Sequence, residues 1–212
     1  MPSNRSCGSI FPAKAWKKME FASDQRLPEL IVLDLDNTLW TPELYQLNQR
    51  RTPQARKDIQ LFPDMPRIFR TVEQATTTGR SAPKWAVASR AQNKEWALEL
   101  LSQFQVDYGN KKDTRTLLPD IFDPKHIEIQ GGTKKRHFQA LRECTNVPYH
   151  NMIFYDDWDV NLHEVSQLGV LCCHCPNGMT LDIFQTSLQR FHELKDGNSD
   201  QNDGCNWMGY II

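Results

Sequence analysis

Short apolar runs alternate along the chain with longer segments in which apolar residues recur about every three to four positions. The apolar runs predict strands at residues 30–33, 84–88, 126–129, 152–155 and 169–174. The periodic segments predict helices at residues 65–78, 93–104, 135–145, 165–168 and 181–194. Strands that alternate with helices pair in parallel and are covered on both sides. The pattern therefore predicts an α/β fold, with a central parallel sheet and helices on both faces.

Length and composition predict one folded domain flanked by two tails. The chain has 212 residues, of which 39% are hydrophobic and 24% are charged, and its formal net charge is -1. This composition supplies a core but gives no general attraction to nucleic acid or to an acidic membrane. We expect an N-terminal extension at residues 1–28, the domain at 29–195 and a C-terminal tail at 196–212. The sequence leaves open whether the apolar end of that tail folds back onto the domain.

The N-terminal residues indicate the compartment. No apolar run approaches the roughly 20 residues that span a bilayer, and residues 1–28 lack the apolar segment of a secretory signal. No acidic residue precedes Glu20, so an organelle-targeting leader is the alternative to a flexible extension. We expect a cytoplasmic monomer with no membrane partner. In that compartment the six cysteines stay reduced: Cys7, Cys144, Cys172, Cys173, Cys175 and Cys205.

One cysteine-rich run, Cys172-Cys173-His174-Cys175, has the composition of a metal-binding cluster. Adjacent residues of a strand point to opposite faces, however, and structural zinc sites usually take two spaced pairs of ligands. We therefore interpret these thiols as core residues beside a strand-end histidine. Trp85, Trp96 and Phe104 are also interpreted as core residues. For Trp40 two alternatives stay open, contact with the core or contact with a bound substrate.

Two pairs of carboxylates follow predicted strands. Asp34 and Asp36 come directly after the first apolar run, and side chains two apart on an extended chain point the same way. Asp156 and Asp157 come after the fourth run. Uncompensated charge at the end of a buried strand is costly, and a hard, oxygen-liganded cation such as Mg²⁺ would offset it. The competing interpretations are a turn cap for the first pair and a helix cap by Asp157 for the second.

Further polar residues lie at strand ends or near helix starts: Ser89, Arg90, Lys134 and Asn161. Taken alone, Ser89 is better interpreted as a helix cap and Lys134 as part of a solvated basic run. Asn161, one helical turn past the second carboxylate pair, either orients a carboxylate or faces solvent. These residues gain significance only from their order along the chain.

That order resembles the haloacid dehalogenase (HAD) superfamily of phosphotransferases. The resemblance rests on a DxDxT motif at Asp34–Thr38, a serine that ends the next strand, a later lysine and an Asp-Asp pair. It implies a HAD-like Rossmannoid domain in which Asp34 is the nucleophile that forms an aspartyl-phosphate, and Asp36 is the general acid and then the base. It also implies three sets of site residues: Leu35, Ser89, Arg90 and Lys134 for the phosphoryl group; Asp34, the Asp36 carbonyl and Asp156 for Mg²⁺; Asp157 and Asn161 in support.

Longer stretches resemble the eukaryotic magnesium-dependent phosphatase 1 family, at residues 34–40, 61–66, 88–90, 152–157, 168–170 and 177–179. This resemblance implies that there is no large cap domain. The implied substrates are phosphotyrosine, a phosphoprotein or a sugar phosphate such as fructosamine-6-phosphate. Two stretches depart from the family: residues 40–61, where the family has a small flap, are short, and residues 104–132 are expanded. We expect both beside the mouth of the site.

Two rival hypotheses accompany this interpretation. An open site would also admit phosphorylated ends of proteins or nucleic acids, although nucleic acid is disfavoured by the net charge of -1. A catalytically idle HAD domain that serves as a protein-binding module is the rival from another class. The sequence argues against an idle domain, because such a domain has no physical need for a complete set of carboxylates, serine and lysine.

Overall fold

The computed structural model describes residues 25–47, 50–74, 81–108, 113–197 and 210–211. In chain order the strands are β1 (Leu30–Leu33), β2 (Trp40–Thr41), β3 (Gln60–Leu61), β4 (Lys84–Ser89), β5 (Gln105–Asp107), β6 (Thr114–Thr116), β7 (Phe122–Ile129), β8 (Met152–Asp156), β9 (Leu171–His174) and β10 (Tyr210–Ile211). The α-helices are α1 (Met65–Gln74), α2 (Lys94–Gln103), α3 (Lys134–Thr145), α4 (Asp159–Ser166) and α5 (Leu181–Asp196).

A six-stranded sheet in the order β10-β9-β8-β1-β4-β7 forms the centre of the fold, and each neighbouring pair in it is parallel. Side chains of β1 alternate between two cores, because successive residues of a strand point to opposite faces. Leu33 packs with Phe69 of α1 and Phe184 of α5 on one face. Val32 packs with Phe138 of α3 on the other face. The predicted α/β class, with helices on both faces of a parallel sheet, is confirmed.

Most predicted elements are present, and the differences lie at their ends. Strand β7 begins at Phe122 rather than at residue 126. Helix α4 spans Asp159–Ser166 rather than the predicted residues 165–168, so it begins six residues earlier and ends two residues earlier. Gly169 has φ +88, a left-handed backbone conformation that stops the chain from continuing as a regular element. Strand β9 therefore begins at Leu171, two residues beyond that glycine. The predicted end of α1 at residues 75–78 lies outside the described residues.

The expanded stretch after α2 lies mainly at the amino ends of the strands. It forms an antiparallel hairpin of β5 and β6, followed by a turn at Leu117–Ile121. Tyr108 and Ile121 border a depression together with Trp85, at the start of β4. Parallel strands carry ligands at their carboxyl ends, so the expectation that this stretch lies at the site mouth was wrong for residues 105–108 and 113–121. Only its last residues, which lead into α3, reach the carboxyl edge.

The short stretch after β1 forms a small flap. Strands β2 and β3 pair as an antiparallel hairpin, with Trp40 opposite Leu61 and Thr41 opposite Gln60. Among the described residues there is no inserted cap domain, as predicted. Within that same part of the chain, no helix combines the length and apolar character needed to cross a membrane.

The aromatic predictions hold in part. Trp85 and Phe104 are buried in the core, whereas the prediction was wrong for Trp96, which is only half-buried in the first turn of α2. Trp40, for which two positions were open, is fully buried and stacks on Phe104 with ring centroids 6.0 Å apart. Cys172 and Cys173 are buried on opposite faces of the sheet, in agreement with their interpretation as core thiols.

Candidate active site

Three adjacent strands bring polar groups to one edge of the sheet. Asp34 follows β1, Asp156 ends β8 and Ser89 ends β4, and β1 pairs in parallel with both of the other strands. The apolar sequence of β1 fixes this strand in the interior, so the chain emerges at the carboxyl edge with Asp34 as its first polar residue. Asp34 is 8% exposed, Ser89 1% and Asp156 0%. The structure thus brings together groups that are separated by more than 50 positions in the sequence.

Lys134 joins the ends of these strands. Its Nζ donates to Asp34 Oδ1 at 2.6 Å, to the Ala88 carbonyl at 2.5 Å and to Asp156 Oδ2 at 3.1 Å. An ammonium has three N–H donors, so each donor has a partner. Two partners are carboxylates and one is the main chain of β4. The side chain is 0% exposed, and its position is therefore fixed by charge as well as by packing.

The location of Lys134 at the start of α3 is electrostatically unfavourable for the helix. Helix N-termini carry partial positive charge and favour acidic residues, but α3 begins with Lys134-Lys135-Arg136. Glu164 of α4 offsets part of this unfavourable charge, because its Oε2 accepts the backbone N–H of Lys134 at 3.0 Å. A basic residue that helix formation disfavours, yet that is wholly buried, indicates a site requirement rather than a solvated basic run.

Asn161 and the second carboxylate pair form one network. The Nδ2 group of Asn161 donates to both oxygens of Asp156, at 3.0 Å each, so Asn161 orients this carboxylate rather than facing solvent. Asp156 Oδ1 also accepts the N–H of Trp158 at 2.9 Å. The helix-capping interpretation of Asp157 was therefore wrong, because the N-cap residue of α4 is Trp158, and the backbone N–H of Trp158 bonds to Asp156.

Asp36 is held by the flap. Its Oδ1 accepts the indole N–H of Trp40 at 2.7 Å and the backbone N–H of Leu44 at 3.3 Å. The tight turn that returns the chain to Trp40 requires a left-handed residue, and Asn37 supplies it with φ 54. Trp40 thus belongs to the core and also contacts a site carboxylate. The sequence predicted this hydrogen bond only weakly, since a tryptophan four positions after an aspartate does not by itself indicate that the two side chains are in contact.

The remaining predicted phosphate-binding residues differ in what they offer. The side chain of Leu35 is fully buried in the core, so only its main chain is available to the site. Ser89 Oγ accepts the N–H of Ala91 at 3.2 Å, which leaves the hydroxyl proton available for donation. The guanidinium of Arg90 stacks over the ring of Trp158, 4.6 Å from its centroid, so this side chain lies at the rim.

The carboxylates exceed the cations that neutralise them. One oxygen from each of Asp34, Asp156 and Asp157 lies within 4.8 Å of the others. The side-chain oxygen of Asn161 is buried and has no hydrogen-bond partner among the described residues. Among those residues Lys134 is the only fully buried lysine or arginine. Oxygen ligands with excess negative charge fit a hard divalent cation.

Burial dominates the proton affinities of the site. It raises the pKa of Asp156 from 3.8 to about 6, although Lys134 acts in the opposite direction. Burial is also the main cause that raises the pKa of Asp34, of Asp36 and of Asp157. Burial lowers the pKa of Lys134, but Asp34 and Asp156 outweigh it and leave that pKa raised. Without a bound cation the lysine is therefore charged, and the carboxylates take up protons more readily than in water.

An open pocket of about 450 Å³ lies above these groups. Its floor includes Asp34, Ser89 and Lys134, and its rim includes Tyr45 from the flap and Trp158 after β8. Tyr45 is 62% exposed and Trp158 is 52% exposed. A polar floor beneath an aromatic rim suits a ligand with one charged group and one flat apolar portion.

Comparisons with known proteins agree with this geometry. A model of the family described as Acid Phosphatase matches residues 26–194. Human Magnesium-dependent phosphatase 1 is 32% identical over 182 residues, which cover 81% of this chain and 92% of that protein. The matched residues contain every group of the site, so the molecule is an enzyme of the phosphatase class. More specifically, the chain belongs to the acid phosphatase family.

A solved structure shows a more distant likeness. It is the N-terminal part of a Bacteroides fragilis protein containing a phosphatase domain complexed with Mg, with a TM-score of 0.46 and 16% identity. The match covers 76% of the present chain and 40% of the Bacteroides fragilis chain. This likeness is too weak to add to the assignment.

The raised pKa of Asp156 predicts how stability depends on pH. The folded protein binds this proton more tightly than the unfolded chain does, so protonation stabilises the fold, and that contribution is lost as the pH rises from 3.8 to about 6. In EDTA, we expect the free energy of unfolding to fall over this range by an amount on the order of 2 to 3 kcal/mol. Thermal or urea unfolding at a series of pH values measures this loss.

Asp156→Asn removes the titrating group and should flatten the curve. Asp182→Asn, at an exposed position in α5, is the matched control and should keep the wild-type slope. An unchanged slope in Asp156→Asn would show that this carboxylate is not the source of the effect.

Proposed function

We propose that the protein hydrolyses phosphomonoesters in a Mg²⁺-dependent reaction that passes through an aspartyl-phosphate on Asp34. The observation that carries this proposal is the position of Asp34 on the floor of an open pocket, with Oδ1 held by Lys134 at 2.6 Å. A carboxylate fixed by one oxygen can present the other, Oδ2, to an incoming phosphorus atom. Attack by one anion on another requires positive charge nearby, which Lys134 and a bound metal would supply.

Asp34, the Asp36 carbonyl and Asp156 are the residues that we assign to hold Mg²⁺, with Asp157 in support. The assignment is supported by the excess of carboxylates and by the magnesium dependence in the name of the human relative. When bound, the cation would neutralise charge on the phosphoryl oxygens. Asn161 keeps both oxygens of Asp156 in a fixed orientation, which is the common role of a residue behind a metal ligand.

The chemistry of this chain's own residues follows in two displacements. In the first, Asp34 Oδ2 forms a bond to phosphorus, the ester P–O bond breaks, and Asp36 gives its proton to the leaving oxygen. In the second, Asp36 takes a proton from water, the water oxygen bonds to phosphorus, and the bond between phosphorus and Asp34 breaks. The raised pKa of Asp36, caused chiefly by burial, favours the protonated form that the first step needs.

The phosphoryl oxygens are assigned to donors on the pocket floor. Ser89 offers its hydroxyl, Lys134 its ammonium, and Leu35 and Arg90 their main-chain N–H groups. Because the three Lys134 donors already have partners, a phosphoryl oxygen would share one of them. The guanidinium of Arg90 is assigned to the rim rather than to the phosphoryl group, because it stacks on Trp158.

For the substrate we propose an aromatic phosphate ester, with phosphotyrosine on an exposed protein segment as the leading class. Two observations support this choice: the aromatic rim of Tyr45 and Trp158, and the absence of a cap domain among the described residues. An aromatic leaving group can stack on the rim while its phosphate reaches the floor. A sugar phosphate such as fructosamine-6-phosphate offers no flat apolar face, and it is the alternative outcome of the substrate test below.

The first test is hydrolysis of a small aryl phosphate. Wild type should turn over with Mg²⁺ and stop in EDTA, and Asp34→Asn should lose roughly a thousandfold or more of kcat, because the amide is not a nucleophile. Asp182→Asn, exposed on α5, should retain wild-type turnover. Substantial activity in Asp34→Asn would reject this residue as the nucleophile.

The second test separates proton transfer from other roles of Asp36. Asp36→Asn should lose roughly a hundredfold on esters with poor leaving groups and clearly less on esters with good ones. Trp40→Phe keeps the stacking on Phe104 but deletes the N–H that holds Asp36. Trp40→Phe should lose roughly tenfold of its activity on esters with poor leaving groups, and clearly less on esters with good ones.

Trp85→Phe is the control for Trp40→Phe, since it is the same change at a buried core position near the amino end of β4, whereas Ser89 of the pocket floor is at the carboxyl end. It should slow all esters equally or not at all. A loss in Trp40→Phe that is uniform across leaving groups would contradict the assignment of proton transfer to Asp36.

The third test concerns substrate choice. Trp158→Ala should lower kcat/KM for a phosphotyrosine peptide by roughly tenfold, the contribution of one aromatic contact, and should leave a sugar phosphate nearly unaffected. Val160→Ala is the control, because Val160 lies two residues after Trp158 in α4, is 56% exposed and is not part of the pocket lining. Equal losses on both substrates, or a preference of wild type for the sugar phosphate, would overturn the proposed substrate class.

A further inference from the structure

A histidine lies buried beneath the phosphate-binding end of the pocket. His137 is in α3, one turn after Lys134, and is 0% exposed. Its Nε2 lies 3.0 Å from the carbonyl oxygen of Ser89 and 3.0 Å from that of Gln130. Its Nδ1 lies 3.0 Å from the carbonyl oxygen of Thr133. Every polar contact of the ring is thus with a main-chain acceptor in one of two loops.

These two loops carry the groups assigned to phosphate. One spans the end of β4 and the turn after it, with Ser89 and Arg90, and the other runs from Gln130 to Thr133 and leads into Lys134. A carbonyl oxygen only accepts hydrogen bonds, so the tautomer with its proton on Nε2 satisfies the larger number of contacts. In that form, His137 donates to Ser89 and Gln130 together. The ring therefore joins the two loops at a fixed separation.

The Ser89 carbonyl oxygen would have a hydrogen-bond donor even without His137. The Ser89 carbonyl already accepts the N–H of Gln130 at 3.2 Å, so His137 adds a second donor to the same oxygen. These two donors, one in α3 and one directly after β7, together restrain the peptide that joins Ser89 to Arg90. In a trans peptide the carbonyl and the N–H point in opposite directions. Hence the Arg90 N–H points away from His137, and both Ser89 and Arg90 line the pocket.

We propose that His137 is a positioning residue that orients the Ser89–Arg90 peptide through the Ser89 carbonyl, so that the Ser89 hydroxyl and the Arg90 N–H face the phosphoryl group. This inference rests on the proposed function for the identity of the ligand. It adds a residue that touches neither substrate nor metal. The ring acts through a main-chain bond, and its loss should weaken phosphate binding beyond any general loss of stability.

Two substitutions separate this bond from the rest of the ring. The amide nitrogen of glutamine reaches about as far as Nε2 of histidine, and that of asparagine about as far as Nδ1. His137→Gln should therefore keep a donor to Ser89, whereas His137→Asn should keep only the contact to Thr133. We expect inorganic phosphate, titrated calorimetrically into the full chain with Mg²⁺, to bind His137→Gln within about twofold of wild type. It should bind His137→Asn roughly tenfold more weakly, as the loss of one hydrogen bond to an anion implies.

Thr145→Val is the control for a buried polar change elsewhere in α3. Thr145 is 8% exposed, and its hydroxyl bonds the carbonyl of Leu141 at 2.6 Å, at the end of the helix away from the site. This variant should lower the Tm without weakening phosphate binding. Equal binding in His137→Gln and His137→Asn, whether weak or strong, overturns the proposal, as does a wild type that binds no phosphate.

A second pair of variants covers the case in which changes at His137 prevent folding. Arg90→Pro deletes the N–H that His137 is proposed to orient, and Arg90→Ala deletes the side chain but keeps that N–H. Arg90→Pro should bind phosphate roughly tenfold more weakly than Arg90→Ala, and equal affinities reject the proposal. Turnover of an aryl phosphate, measured in parallel, tests the proposed function separately. Phosphate binding with the expected differences but no turnover would reject the function and keep the role of His137.

Discussion

The cost of removing carboxylates from water at one edge of the sheet is the constraint around which this site is built. Asp34, Asp36, Asp156 and Asp157 converge at one edge of the sheet, and burial alone would drive them toward protonation. Lys134 offsets part of that charge and ties β1, β8 and β4 together through its three donors. Because one ammonium cannot neutralise four carboxylates, the remaining charge favours a metal ion. The candidate site is thus also the place where the described residues bury aspartate and lysine side chains.

Buried aromatic side chains lie behind the groups assigned to react. Trp40 packs in the core, yet its indole N–H holds Asp36, and His137 contacts the main chain that carries Ser89. Rigid rings with one polar atom can be fixed by packing and still direct a hydrogen bond. A catalytic carboxylate or peptide gains its orientation from such a partner without a further charge in the pocket. The precision of the site therefore derives from core packing as much as from the residues that line the pocket.

The central part of the fold could be predicted from the sequence because the physical signals there are local. Strand β1 is apolar throughout since both of its faces are covered, and an aspartate directly after such a strand is costly unless a cation accompanies it. The contacts of Trp40 and His137 depend on how distant segments pack, and no spacing in the sequence encodes them. The location of residues 105–108 and 113–121 was mispredicted for the same reason. Their composition does not reveal at which end of the sheet a connection lies.

The position of the hairpin of β5 and β6 keeps it apart from the candidate active site. It lies beside the start of β4, whereas the chemistry lies at the opposite ends of the strands. Its ion pair between Arg115 and Glu73 fastens it to α1 rather than to the pocket. A fluorophore, an affinity handle or a tether to a surface placed on this hairpin would leave the approach of substrate unobstructed. The hairpin is therefore a suitable position for labelling or immobilising the enzyme in experiments that follow turnover.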